Sequence, residues 1–101
     1  MAGWEAVCRV GEIPEGEGRT FRIRGLEVAV FNDGGRFSAI LDRCPHAGGS
    51  LGSGWVEDGT AVCPLHYWRF RLDDGRCVAG GGGGVPGFDC EVRDGRVWLS
   101  T

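Results

Sequence analysis

At 101 residues the chain has room for one domain, and a core of that size is marginal unless something staples it. Its formal net charge is −3 and all eleven basic residues are arginines, with no basic stripe of the kind that nucleic-acid binding needs. No stretch reaches the roughly eighteen apolar residues of a membrane helix, and MAGWEAVCRVGEIPEG lacks the regions of a secretory signal, so a soluble, cytoplasmic protein is expected.

Helical periodicity is nearly absent, whereas alternating runs broken by Asp-Gly pairs recur, which predicts an all-β fold. Alternation in the first strand puts Trp4, Ala6, Cys8 and Val10 on one face. From Thr20 to Arg24, Phe21 and Ile23 point inward. Glu27 to Phe31 turns through Asn32-Asp33-Gly34-Gly35 into Arg36 to Leu41. With Asp33-Gly34 as the turn, Val30 faces Phe37 and Val28 faces Ala39 on a buried face. Asp58-Gly59 sets Val56 opposite Ala61 and Trp55 opposite Val62, and Asp74-Gly75 sets Leu72 opposite Cys77. Gly80 to Gly84, five glycines in a row, reads as a flexible connector. A phosphate cradle there is disfavoured, because the chain has no lysine and no helix pattern follows. Asp94-Gly95 pairs Val92 with Val97 and Cys90 with Leu99, leaving Glu91, Arg93 and Arg96 on the opposite face.

The chemistry sits in two short boxes. Cys44-Pro45-His46 and Cys63-Pro64-Leu65-His66 hold the only two histidines, each beside a cysteine, with sixteen residues between the boxes. That is metal-ligand spacing: each box is tight enough to place both side chains on one ion, or to split them between the two irons of a cluster. Two thiolates and two imidazoles suit a Rieske centre, and Cys2His2 is also tetrahedral zinc chemistry, so a zinc-stabilised binding module without redox role is an alternative. The Asp58-Gly59 hairpin ends at Cys63 and so delivers the second box to the first. Five cysteines cannot all pair within one chain, and Cys8, Cys77 and Cys90 read as small core residues. With both histidines committed to metal, no Ser-His or Cys-His pair is left for catalysis, and the polypeptide alone is expected to turn over no substrate.

The boxes in context, CPHAGGSL and CPLHYWRF, resemble those of the Rieske-type [2Fe-2S] ferredoxins, and the flanking strands and turns extend the resemblance over most of the chain. It implies a single domain over residues 1–101: an antiparallel β-sandwich with base strands over about 1–40 and 79–101 and an inserted cluster-binding subdomain over about 41–78. It also implies one [2Fe-2S] cluster, with Cys44 and Cys63 on the buried iron and His46 and His66 on the outer iron, their ring edges open to solvent. Terminal Rieske oxygenases resemble this chain only in their N-terminal domain, and no histidine remains here for the mononuclear iron they require.

Several positions depart from the high-potential members of that family. Their extra cysteines, which pair to brace the cluster, are matched by Gly49 and Leu65, so that disulfide cannot form. Trp68 and Phe70 stand where those relatives carry serine and tyrosine hydroxyls. A potential near the low end of the Rieske range, roughly −150 to +300 mV, is therefore expected. Tyr67 replaces the usual glycine after the second histidine, and it either flanks the histidine edge or covers the loop. Trp68 and Phe70 read as core under the cluster. The glycines at 48, 49, 52 and 54 either bring backbone N–H groups to the sulfides or simply form turns. The resemblance implies that Pro86 is what remains of a proline-bearing segment that covers one side of the cluster in many relatives. The resemblance implies a carrier that passes electrons from an NAD(P)H-dependent flavin reductase to a terminal oxygenase or reductase. FRLDDGRCV and FDCEVRDGRVWLS also resemble the small subunit of an assimilatory NAD(P)H nitrite reductase, the alternative.

Overall fold

Four two-residue turns decide how the strands meet. Arg24-Gly25, Gly34-Gly35, Asp58-Gly59 and Asp94-Gly95 each hold two successive residues at positive φ, between 51° and 97°. That is the backbone hand whose twist matches an antiparallel hairpin. The structure, a computed structural model, describes residues 3–45 and 48–101. Its strands are β1 (Trp4–Arg9), β2 (Gly18–Ile23), β3 (Leu26–Asp33), β4 (Arg36–Leu41), β5 (Trp55–Glu57), β6 (Thr60–Val62), β7 (Arg69–Arg71), β8 (Cys77–Ala79), β9 (Gly87–Arg93) and β10 (Arg96–Ser100). They form a six-stranded sheet, β1-β10-β9-β4-β3-β2, and a four-stranded sheet, β5-β6-β7-β8, and every pairing is antiparallel. The fold is all-β, as the alternating runs predict. Among the described residues no helix is long and apolar enough to cross a membrane.

Two hairpins match the predicted register and two do not. Val56 pairs with Ala61 and Trp55 with Val62, and Val92 pairs with Val97 and Cys90 with Leu99. Val92 is nevertheless half exposed, whereas Cys90 of the same strand packs against the core. In the β3–β4 hairpin the turn is Gly34-Gly35 rather than Asp33-Gly34, so Val30 faces Ala39 and Val28 faces Leu41. The shift is two residues, so the same side chains still point inward. The β7–β8 loop is longer than a two-residue turn: Arg71 N donates to Arg76 O at 2.8 Å, Cys77 faces Phe70, and Leu72 drops into the core at 5% exposure. In β1 a bulge between Ala6 and Cys8 breaks the alternation, leaving Ala6 exposed while Val7 packs inward and Cys8 is buried. Phe21 and Ile23 face inward as expected.

The central strand β3 explains where the site sits. Its run Val28-Ala29-Val30-Phe31 is buried on both faces, so it divides two cores. Val28 and Val30 pack with Cys8, Ile13, Ile23, Ala39, Val97 and Leu99. Ala29 and Phe31 pack with Ile40, Leu51, Ala61, Phe70, Leu72 and Val85, and this second core also contains Cys44 and Cys63.

One buried carboxylate ties the first box to the six-stranded sheet. Oδ1 of Asp42, 4% exposed, accepts from Thr20 Oγ1 at 2.8 Å, Ser50 Oγ at 3.1 Å and the Gly52 amide at 2.7 Å. Replacing it with alanine strands the buried Gly52 amide and leaves the Thr20 and Ser50 hydroxyls only each other, 3.2 Å apart, so Asp42→Ala should cost about 3 kcal/mol. Asp42→Asn keeps the accepting oxygen and should cost about 1 kcal/mol by the same reasoning. Urea unfolding of the two variants checks the difference, and equal losses would mean that the shared acceptor is unimportant.

Candidate metal centre

The two boxes fold into matching loops. Cys44 O accepts from Gly48 N at 2.8 Å and Cys44 N donates to Gly49 O at 2.8 Å. Cys63 O accepts from Tyr67 N at 2.9 Å and Cys63 N donates to Trp68 O at 2.8 Å. In both loops the residue four after the cysteine sits in the left-handed region, Gly48 at φ 70° and Tyr67 at φ 62°. The repeat places the cysteine backbone at the closed base of each loop, and in the second loop His66 stands in its arm.

The loops touch. A Cβ added to Gly49 would lie 2.7 Å from Leu65 Cδ1 and 3.3 Å from Cys63 Sγ, so the first loop passes close to the second cysteine and a side chain at 49 would have to displace the Leu65 tip. Gly49 and Leu65 are the two positions that the family resemblance matches to the bracing cysteines of its high-potential members. Here a leucine methyl packed on glycine fills that space. Beside it the Arg43 guanidinium lies on the first loop, with Nη2 placed 3.3 Å from where a Gly48 Cβ would be.

Burial separates the sequence-predicted ligands into two kinds. Cys44 and Cys63 are each 1% exposed within one apolar core, whereas His66 is exposed. His46 lies outside the described residues. Among the described residues, no three His, Cys, Asp or Glu side chains converge on one point. Two buried thiol groups brought together by touching loops, with an imidazole at the surface end, fit a cluster whose inner metal is held by sulfur and whose outer metal faces solvent.

The remaining cysteines stand apart from the boxes. Cys8 is buried and Cys90 half-buried on the other side of β3, while Cys77 packs against the core that holds the boxes. Burial raises the Cys8 thiol, with Glu12 adding to the shift, and pushes Cys90 up to about 12, helped by Cys8 and Glu91. Both therefore stay protonated at neutral pH and are poor nucleophiles or ligands.

Around the second box three aromatic side chains take different roles. Phe70 is fully buried, as expected. Trp68 is half-buried against the same core, and its indole lies on the backbone of Gly80 and Gly81, where an added Cβ would overlap the ring. The glycine run is therefore not a flexible connector. Cys77 N donates to Gly83 O at 2.8 Å, Arg76 bridges to Gly84, and the segment packs as backbone against Trp68 and Gly75. Pro86 lies just before β9, its carbonyl accepting from Leu41 N at the end of β4 at 2.9 Å. Tyr67 is 65% exposed, and its ring meets Trp55 at a centroid distance of 6.0 Å and an angle of 57°. The Trp55 indole N–H bonds to Glu57, which also accepts from Arg69 at 2.8 Å, and these two bonds hold the Glu57 carboxyl below its usual range.

Sequence reasoning missed Asp42, the pairing of Tyr67 with Trp55 and the packing of Trp68 on glycine. Asp42 carries no motif, because its partners lie 8 to 22 residues away in sequence. The match between Gly48 and Tyr67 was available as a signal, since each stands four residues after its cysteine.

The profile of the Rieske [2Fe-2S] domain family matches residues 3–84. The 3-phenylpropionate/cinnamic acid dioxygenase ferredoxin subunit of Escherichia coli K12 is 42% identical over 72 residues, which are 70% of this chain and 67% of that protein. The ferredoxin of carbazole 1,9a-dioxygenase from Nocardioides aromaticivorans IC177 superposes with a TM-score of 0.91 at 26% identity, covering 98% of each chain. A carbazole 1,9a-dioxygenase ferredoxin is also known in complex with its oxygenase. A chain assigned as an NADH-dependent nitrite reductase small subunit from Mycobacterium tuberculosis superposes at 0.87 and 27% identity, covering 95% of this chain and 92% of that one.

Proposed function

We propose, given that this chain belongs to the Rieske [2Fe-2S] domain family, that it is a low-potential one-electron carrier of an oxygenase system. In this reading Cys44 and Cys63 bind the inner iron of one [2Fe-2S] cluster, and His46 and His66 bind the outer one. One observation carries it: within four residues the second box runs from Cys63, 1% exposed in an apolar core, to an exposed His66. When bound, the cluster supplies a centre that takes up and releases a single electron.

The chain's own residues do the remaining work. Leu51, Phe70 and Leu72 keep water from the cysteine end, and the exposed His66 edge leaves a short path to a partner. The loop bonds at Cys44 and Cys63 hold both arms in place, so little of the protein has to rearrange when an electron moves. No hydroxyl is carried at positions 68 and 70, and those of Thr20 and Ser50 are turned onto Asp42. Without such donors to sulfur the potential stays low.

Similarity to a dioxygenase ferredoxin subunit supports a terminal oxygenase as the electron acceptor, and a carbazole system ferredoxin in complex with its oxygenase supports direct docking. The electron source in this proposal is an NAD(P)H-dependent flavin reductase, in the cytoplasm. Likeness to a nitrite reductase small subunit supports a second reading, a fixed subunit of a larger reductase. Isolation of the native partner separates the two.

Protein produced with adequate iron and sulfide should be red-brown and give a Rieske electron paramagnetic resonance signal when reduced. A colourless protein with stoichiometric zinc would defeat the proposal. Voltammetry at neutral pH should give a midpoint below zero, and a clearly positive value would contradict the low-potential assignment.

A further inference from the structure

Tyr67 is held against two ordinary preferences. A residue with a Cβ disfavours the left-handed region, yet Tyr67 has φ 62° at the position where the first loop has Gly48. A large aromatic side chain favours burial, yet this one is 65% exposed. Its ring meets that of Trp55, and Trp55 is itself held. Its indole N–H is bonded to Glu57, whose carboxylate is clamped by Arg69 at 2.8 Å. Trp55 also pairs with Val62, the residue before Cys63, so the indole stands beside the root of the loop that carries His66.

We infer that the Trp55–Tyr67 ring pair, anchored through Glu57 and Arg69, is a positioning device for the arm of the second loop, fixing the direction of His66. The first loop turns at glycine and needs no such restraint at its matching position. In the second loop the tyrosine side chain ties the arm to β5 at the cost of an unfavourable backbone angle. Trp55 and Tyr67 are positioning residues in this scheme. It rests on the proposed assignment of His66 as a ligand of the outer iron.

The test uses the cluster-loaded protein with Trp55→Ala, Trp55→Phe and Tyr67→Ala. Phenylalanine keeps a ring for Tyr67 and loses only the bond to Glu57. Deuterium uptake over residues 63–68 should rise by up to roughly tenfold in Trp55→Ala and Tyr67→Ala, the loss expected for one aromatic pair. The resonance of the reduced cluster should broaden and shift in both, because the histidine direction is no longer single-valued. Trp55→Phe, which keeps a ring but loses the Glu57 anchor, should recover only part of both readouts. Spectra and uptake unchanged from wild type in Tyr67→Ala would overturn the inference. That variant removes an exposed side chain, so it settles the question even if Trp55→Ala fails to fold. A wild-type protein without a Rieske signal would instead defeat the ligand assignment, and the inference with it.

Discussion

Cys63→Ser is expected to give a protein that contains no cluster: colourless, with iron and acid-labile sulfide near zero. A serine hydroxyl does not ionise at neutral pH and cannot replace a thiolate ligand. The site offers it little else. Cys63 is 1% exposed among Ala61, Phe70 and Leu51, so an unmatched hydroxyl there costs about 1–3 kcal/mol on its own. Loss of the metal staple between the two loops adds to that, since whatever binds only the folded state stabilises it. Cys44→Ser should behave the same way, because Cys44 shares the burial and the loop geometry. Cys77→Ser and Cys90→Ser supply the control. Both positions are half-buried, and neither lies in the two boxes, so both proteins should keep full colour and iron content. Metal analysis of the four variants decides the matter. Bleaching by Cys77→Ser with colour retained in Cys63→Ser would reverse the ligand assignment.

Gly80→Ala should destabilise the protein by about 3 kcal/mol, the upper part of the usual range for overpacking. Its Cβ would overlap Cδ2 of the Trp68 indole, with two further ring atoms within 2.8 Å. The ring cannot retreat freely, because it packs against the core that holds Cys44 and Cys63. The Trp68 carbonyl also accepts the Cys63 N–H bond, so a displaced Trp68 disturbs the second loop. Accelerated loss of cluster colour should therefore accompany the lower stability. Gly82→Ala makes a sharp comparison two residues away. Nothing lies within 4 Å of an added Cβ there, and only the left-handed φ of 88° opposes it, at about 1 kcal/mol. Urea unfolding of both holoproteins tests the contrast. Equal, small effects would restore the glycine run to a flexible connector.

The same contrast shows why part of this molecule was readable and part was not. Hairpins closed by a dipeptide with a strong turn preference, at Asp58-Gly59 and Asp94-Gly95, were legible down to their partners, because the turn and the alternating pattern are both local. At Gly34-Gly35 two glycine-containing turns competed within four residues, and a local rule could not choose between them. The β7–β8 loop failed for a different reason: Leu72 leaves the ladder to fill the core beside Val85, a gain that depends on a residue far along the chain. The run Val28 to Phe31 is buried on both faces because a second sheet covers it, which no alternation within β3 announces.

For the site, the sequence by itself determined the candidate donor types and their spacing, since four donors within two short boxes are a matter of covalent order. It also determined which donors are missing, through Gly49, Leu65, Trp68 and Phe70. The tertiary structure alone decided that Cys44 and Cys63 share one buried core while His66 reaches the surface, that Leu65 rests on Gly49, and that Gly80 and Gly81 pack as bare backbone against an indole. These are contacts between segments distant in sequence, and their energies depend on what each side chain finds after folding. Spacing names the atoms available to a metal, and burial sets which of them meet water.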